Sequence, residues 1–364
     1  MVNTAPTTSA DVLSWSTLTP TVNEMKEPNN FLKNRIFSRD ITVPTRDIEL
    51  SFLRRGRQIA PFVARDGAAI MTAGRTEEFR VIRPPHIRVK RAMTPSELLN
   101  KRRPGSVIFP GAGGIRRAMQ EYIASELQML MDDVTNAEEY LCSQALAGAI
   151  SYSVADESAF TITYPRDAAN TVTLSGTELW ASDDPPRTVG GTARPSRDFL
   201  NAATLVNDAV QLNVTDAVMG AKATEAFLLN TETAALLDTR RLLTGSIDLT
   251  QQIQESGALF LGEYVHGIKC WRYARTVSVN GSSTDLIRSK YVEFVAVSPA
   301  AQFVMYYGAI EDMKAIGAGT VLQSRRFSKS WEEEDPSARM LLVESNPMPV
   351  MRRPDASVSM LVTT

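Results

Sequence analysis

The chain has 364 residues, 43% of them hydrophobic and 22% charged, with a formal net charge of −2. That length implies about two domains of ordinary size, and the even balance of charge excludes the basic background expected of a phosphate-gripping protein. Two cysteines, Cys142 and Cys270, and two histidines, His86 and His266, exclude a disulfide framework and offer no CxxC or HxxxH spacing for zinc, so buried thiols and no metal or cofactor are expected.

Residues 1–50 begin with a polar stretch that lacks the basic and apolar regions of a signal peptide. No run approaches about 18 apolar residues, so no membrane span is expected and the protein should be made and kept in a cytoplasm. Pro6, Pro20, Pro28 and Pro44 punctuate this stretch. Its few scattered apolar residues predict an extended arm that gains order only against a neighbour. From 51 to 95 short apolar runs, an Asp66-Gly67 turn and alternation through Glu78–Arg83 and His86–Lys90 predict a long β-hairpin rich in arginine. A two-stranded ribbon of that kind is marginal alone and must lie against something.

Residues 115–149 carry apolar side chains at Ile115, Met119, Ile123, Leu127, Leu130, Val134, Ala137, Leu141 and Ala145. Steps of three and four predict one helix of roughly 35 residues, on the order of 50 Å long. Phe160–Tyr164 and Thr171–Leu174 predict a hairpin, and the Pro- and Gly-rich stretch 181–197 is the best candidate boundary. A second module opens with a helix capped by Ser196 or Asp198. A buried strand over Glu225–Leu229, a helix over Thr231–Leu237, and strands at Ala258–Leu261, His266–Arg275 and Tyr291–Val297 complete a mixed α+β unit. Arg325–Trp331 and Arg339–Glu344 flank the acidic turn Glu332-Glu333-Glu334-Asp335-Pro336. Val350-Met351 and Val358–Val362 close the chain as strands, which would make the first region discontinuous if they pair back into it.

Catalytic chemistry finds no foothold. Gly111-Ala112-Gly113-Gly114 is followed by Ile115-Arg116 instead of the Lys-Ser/Thr of a phosphate loop. No GxSxG elbow accompanies either histidine. The acidic pairs Asp132-Asp133, Glu138-Glu139 and Asp183-Asp184 read as solvated faces, because general acid–base work needs one buried and one wet carboxyl. An enzyme is therefore not expected; a hydrolase using paired carboxylates is the rival of that class.

Several short segments in fixed order carry a resemblance. Tyr307-Gly308-Ala309-Ile310-Glu311-Asp312, Leu237-Asp238-Thr239-Arg240-Arg241 and Thr177-Glu178-Leu179-Trp180 are similar to segments of the lambda-like major capsid proteins, the capsid protein E family. So are Lys329-Ser330-Trp331 with Asp335-Pro336-Ser337-Ala338-Arg339, and Ser345-Asn346-Pro347-Met348-Pro349 with Asp355-Ala356-Ser357-Val358-Ser359. None is catalytic, and together they span about residues 40–364. The resemblance implies the HK97-type α+β capsid fold. Its expected parts are an N-arm over 1–50, an E-loop over 51–95, a P-domain over 96–197 with the spine helix, an A-domain over 198–324, and P-domain return strands over 325–364.

The same resemblance implies the icosahedral head shell of a tailed phage, built from hexamers and pentamers around packaged double-stranded DNA that is held without sequence specificity. The implied partners are other copies of the chain, a separate scaffold protein, a portal and a candidate cement or decoration protein, and the implied location is the virion after assembly in host cytoplasm. An encapsulin-like cellular compartment is the structural rival. The candidate inter-subunit residues are Arg65, Arg75, Glu77, Glu78, Arg80 and Arg83 on the E-loop and Glu332, Glu333, Glu334 and Asp335 on the P-domain turn, since arginine forks bind carboxylates across interfaces. HK97 joins its subunits by a Lys–Asn isopeptide bond from the E-loop. Here residues 60–89 hold no lysine, so no covalent crosslink is expected.

Overall fold

The structure, a computed structural model, describes residues 15–25, 30–54, 76–95, 112–152, 160–181, 192–235, 257–279, 281–318, 324–335 and 337–364. The chain opens with helix α1 (Trp15–Glu24) and a short helix α2 (Phe31–Arg35). Strand β1 (Arg39–Thr42) follows, then β2 (Ile48–Arg54), β3 (Thr76–Ile82) and β4 (Ile87–Met93). The expectation of an extended arm fails here. Leu18 and Val22 lie one helical turn apart and are buried on the chain's own body, and Phe31, Leu32, Ile36 and Phe37 enter its main core. The prolines that broke the apolar pattern hid these short amphipathic pieces.

The expected hairpin is two structures. Strands β2 and β3 pair antiparallel, Ile48 opposite Ile82 through Arg54 opposite Thr76. Strand β4 leaves the ribbon and pairs instead with a strand from the far end of the chain. The hairpin tip lies outside the described residues.

The spine helix α3 runs Ala112–Ala147. Ile123, Leu127, Leu130, Met131, Val134, Leu141, Cys142 and Ala145 are all buried, as the three–four spacing requires. Gly148 ends it at φ 101°, a conformation that favours glycine. Arg166 closes the end, donating to the carbonyls of Leu146 at 3.0 Å and Ala147 at 3.1 Å. Those carbonyls have no partner within the helix, and a cation there also faces the negative end of its dipole.

Strands β5 (Ala149–Tyr152) and β6 (Phe160–Thr163) form a hairpin, and β7 (Thr171–Thr173) follows. Helix α4 (Pro195–Val210) starts with proline in its first turn and ends at Gln211 with φ 59°. Neither Ser196 nor Asp198 caps it: Asp198 accepts the Trp180 indole N–H at 2.8 Å, and Ser196 donates to Glu232 at 2.6 Å. After β8 (Asp216–Met219), residues Ala221–Leu229 form helix α5 where a strand was expected over Glu225–Leu229. A short apolar run cannot distinguish the two, and the alanines at 221, 223 and 226 favour the helix.

The remaining strands are β9 (Ala258–Glu263), β10 (Lys269–Tyr273), β11 (Thr276–Val279), β12 (Ser282–Asp285), β13 (Tyr291–Val295) and β14 (Phe303–Tyr307). A six-residue helix α6 (Met313–Ala318) precedes β15 (Phe327–Glu333), β16 (Ala338–Ser345), β17 (Pro347–Met351) and β18 (Ser357–Leu361). A mixed six-stranded sheet runs β7-β18-β13-β8-β10-β9, and smaller sheets run β1-β14-β17 and β15-β16-β4. The last strand, β18, lies between β7 and β13, so the C-terminus stitches the stretch before residue 181 to the stretch after it. One core of buried side chains extends from Phe31 to Val362; a smaller one lies between α1, the first half of α3 and β16.

Backbones approach closely where β8 leads into α5. A Cβ on Gly220 would stand 2.3 Å from the Arg288 carbonyl oxygen and 2.7 Å from Ser289 Cα. Neither atom is a flexible side-chain tip. Gly220→Ala should therefore cost about 1–3 kcal/mol through forced backbone movement, read as a lower urea midpoint of the unassembled chain; an unchanged midpoint would show that this strand–helix junction is loose.

Candidate functional site

Two adjacent carboxylates on the spine organise the interior. Glu138 and Glu139 were expected on a solvated face, yet both are fully buried. Glu138 meets Lys33 Nζ at 3.2 Å and an Arg326 amino nitrogen at 2.9 Å. Glu139 accepts the backbone N–H groups of Leu32 at 2.8 Å and Lys33 at 3.0 Å and the Tyr273 hydroxyl at 2.8 Å. Neighbouring helix residues point about 100° apart, so one pair can face two different elements. Here the pair ties α2, the strand β10 and the segment entering β15 to one point of the spine.

Burial pushes the Glu139 carboxyl above the usual range, against the opposing pull of its hydrogen bonds and Arg275. A carboxyl raised in the folded state holds its proton more tightly there than in the unfolded chain. Its stabilising contribution is therefore full below the ordinary carboxylate range and falls as pH climbs through the raised value. Mild acid should not loosen the Glu139 contacts.

A second set of contacts fastens α2 laterally. Asp216 accepts from Arg35 Nε at 2.7 Å and the Trp271 indole N–H at 2.8 Å, and the Arg35 guanidinium lies 4.6 Å over the Trp271 ring. Phe31 packs between Trp271 and Tyr273 with ring centroids 5.0 and 5.4 Å away.

The expected surface residues divide into two places. Arg65 and Arg75 lie outside the described residues, and Glu77 sits on β3 opposite Leu53. Arg80 pairs with Glu78 at 2.5 Å and donates to the Thr163 carbonyl at 2.9 Å, which draws β3 toward β6. Arg83 pairs with Asp47 at 3.0 Å, and that bond raises its pKa. Between β3 and β6 lies a groove of about 990 Å³ whose walls include Arg46, Arg80, Arg83, Arg88, Tyr152 and Phe160. The outer face of the β2–β3 hairpin shows Phe79 and Val81, 73% and 68% exposed.

Glu332 and Glu333 end β15, and Glu334 and Asp335 lie in the turn toward β16; all four are exposed. Glu332 accepts from Arg339 across the hairpin. Among the described residues these acids do not meet Arg80 or Arg83 of the same chain, which pair with Glu78 and Asp47.

Leu237–Arg241 lies outside the described residues; of the other short segments that carried the resemblance, three meet at one place. Gly308 N–H donates to the Asn346 carbonyl at 2.9 Å, and the Asn346 amide returns a bond to Ala309 at 2.5 Å. A Cβ on Gly308 would stand 2.8 Å from Pro84. Lys329 donates to Asp312, Glu311 meets Arg46 at 2.7 Å, and Asp355 accepts from Asp167 N–H at 2.7 Å. These are joints of the fold and not reactive groups. Among the described residues no group of three or more His, Cys, Asp or Glu could hold a metal, and no helix is long and apolar enough to cross a membrane. Both cysteines are buried and neither forms a disulfide.

This architecture matches solved shell proteins. A prophage capsid protein from Escherichia coli CFT073 superimposes with a TM-score of 0.71 at 16% identity, over 96% of this chain and 99% of that one. The capsid of Ralstonia phage GP4 gives 0.52 at 12% identity, over 93% and 92%. The fold is thus the HK97-type capsid fold of phage shells. In sequence, the chain is 22% identical to the major capsid protein of Enterobacteria phage P21 over 330 residues, 88% of this chain and 91% of that one. The P21 prophage-derived major head protein of Escherichia coli O6:H1 strain CFT073 gives the same figures. Residues 14–362 match the model of phage major capsid protein E, and the chain belongs to that family.

The double carboxylate generates a prediction. Glu138→Ala would take from Lys33 and Arg326, with side chains 5% and 1% exposed, the buried carboxylate that both meet. Breaking such a pair costs about 3–5 kcal/mol. The unassembled variant should unfold at distinctly lower urea; equal midpoints would mean that the cations find other partners without loss.

Proposed function

We propose that the chain tiles into the icosahedral head of a tailed phage as hexamers and pentamers around double-stranded DNA. Under this proposal residues 1–50 are the N-arm, 51–95 the E-loop, 96–197 with 325–364 the P-domain, and 198–324 the A-domain. A scaffold protein guides assembly, a portal occupies one vertex, and a decoration protein is a further partner. Host cytoplasm is the place of assembly. The DNA is held without sequence readout, consistent with a net charge of −2.

The observation that carries this reading is the uncovered face of the E-loop hairpin. Its inner face is satisfied: Ile48, Leu50, Phe52 and Ile82 are buried. Its outer face presents Phe79 opposite Ser51 and Val81 opposite Glu49. Burying a large apolar side chain is worth about 1.5–3 kcal/mol, and an exposed apolar strand face marks a surface that meets another chain. The charged candidates Glu78 and Arg80 stand on the opposite face of the same strand, across from Phe52 and Leu50, and Arg83 follows its end, while Glu332, Glu333, Glu334 and Asp335 supply carboxylates elsewhere.

The test is assembly itself. Phe79→Ser with Val81→Ser should fold, judged by an unchanged circular dichroism spectrum, but sediment as small species while the parent chain yields particles by electron microscopy. Particles of normal yield from the double variant would remove the hairpin face from the contact. Mature shells should dissolve to single chains on a denaturing gel, because residues 60–89 offer no lysine for an isopeptide bond; a ladder of multimers would refute this. Packaged DNA in the particles would separate a phage head from a cargo-loaded compartment.

A further inference from the structure

We infer that one end of the three-stranded sheet β1-β14-β17 is where the chain meets the phosphates of double-stranded DNA, through Arg39, Arg352 and Arg353. The inference rests on the shell reading above and gives its DNA partner a place on the subunit.

The sheet gathers these arginines from distant parts of the chain. Strand β1 begins at Arg39, β14 begins just after Gln302, and β17 ends at Met351, immediately before Arg352 and Arg353. Arg39 stands in register with Val304, which faces Val350 on its other side, and the Arg352 N–H donates to the Gln302 carbonyl at 3.4 Å. All three arginines therefore lie at one end of the sheet. Neighbouring strands are about 4.8 Å apart, so β14 separates Arg39 from Arg352 by roughly 10 Å. Arg39 is exposed and the other two are partly exposed.

No carboxylate neutralises this end. Among the described residues none of the three arginines forms an ion pair. The acids next to them in sequence are engaged elsewhere. Asp40 accepts from Arg325 at 2.9 Å, and Asp355 accepts from the Asp167 N–H at 2.7 Å and the Asn170 amide at 3.3 Å. The arginines of the β3–β6 groove differ, since they meet Glu311, Glu78, Asp47 and Glu344 of their own chain. Arg352 spends one amino nitrogen on the Tyr306 hydroxyl, while its Nε is buried with no acceptor. A guanidinium donor left open costs free energy until an acceptor arrives, and the planar fork matches the oxygens of a phosphate.

The ground beside the arginines is low. The turn entering β14 reads Ser298-Pro299-Ala300-Ala301, with Pro299 and Ala300 exposed and no acidic or large side chain. The Ala301 N–H closes it onto the Ser298 carbonyl at 2.9 Å, and Gln302 follows in the left-handed conformation at φ 55°. A non-glycine residue held there is strained, and such strain collects at functional surfaces. Small residues on this turn let a thick polyanion reach the side chains on the strands to either side. The whole chain carries −2, so attraction to DNA has to be local. Contact with the phosphate backbone alone gives salt-sensitive binding that reads no bases.

Fluorescence anisotropy of the full-length unassembled chain with a short labelled duplex tests the patch. Arg39→Gln with Arg353→Gln should weaken binding about tenfold or more at low salt. It should also flatten the slope of log affinity against log salt by about 2, equally for duplexes of unrelated sequence. Lysine at the same two positions should keep the slope, which separates lost charge from lost fold. An unchanged slope in the glutamine pair, or a slope lost equally in the lysine pair, would overturn the assignment whatever the shell does. In particles, labelling by an arginine-directed dicarbonyl reagent, mapped by mass spectrometry, gives the second readout. Arg39 and Arg353 should react in emptied shells and be protected in DNA-filled heads. Equal reactivity in both would remove DNA from the patch, and protection already in emptied shells would give it to a second copy of the chain. A parent chain that forms no shell would sink the shell reading and leave the duplex measurement to decide the patch by itself.

Discussion

A pair of buried carboxylates on one helix holds this protein together. Glu138 and Glu139 take the cations of the N-terminal segment and of the C-terminal return, the first amides of α2, and a hydroxyl from the six-stranded sheet. Desolvating two adjacent acids is expensive, and only a complete set of partners offsets it. The spine is long and thin, with little area per residue for burial. Charged clasps at one point let three distant parts of the chain share its rigidity. What the interior leaves over lies at the edges: the apolar hairpin face of Phe79 and Val81 and the exposed acids Glu332, Glu333, Glu334 and Asp335. A subunit built to tile needs this division, with a fixed interior and a periphery completed by neighbours.

The spine helix was legible because its apolar period runs unbroken for nine or ten turns, and nothing but a helix satisfies that spacing. The terminal hairpin was legible because alternation flanks an acidic turn. The carboxylate pair was not. Adjacent acids in a helix are ordinarily solvated, and what buries Glu138 and Glu139 comes from Leu32, Lys33, Tyr273 and Arg326, between 105 and 190 residues away in round terms. The same limit hid the fate of β4, whose alternation is real but whose partner, β16, lies some 250 residues downstream. Helix α5 was missed for a local reason, since a nine-residue apolar segment carries too few turns to show its period.

The segments of the family resemblance that lie among the described residues turned out to be joints. Gly308 meets Asn346, Tyr307 pairs with Pro347, Asp312 meets Lys329, Trp180 meets Asp198, and Asp355 meets Asn170. Each is a place where two backbones or a buried polar pair must fit closely, so few residue types serve. The surface candidates behave differently. Glu78, Arg80 and Arg83 find partners within the chain, yet stay half-exposed. Sequence located that charge, but the groove it lines needs β6, whose approach depends on the spine ending at Gly148 and turning the chain back.

If the carboxylate pair is the clasp proposed here, the N-terminal segment cannot open without the core opening with it. Native-state hydrogen exchange of the unassembled chain measures this directly through the Leu32 and Lys33 amides bonded to Glu139. Their opening free energy should equal that of the central strands β13 and β18, marking one cooperative unit. Exchange of those two amides by a separate, low-energy opening while the central strands stay protected would contradict the account.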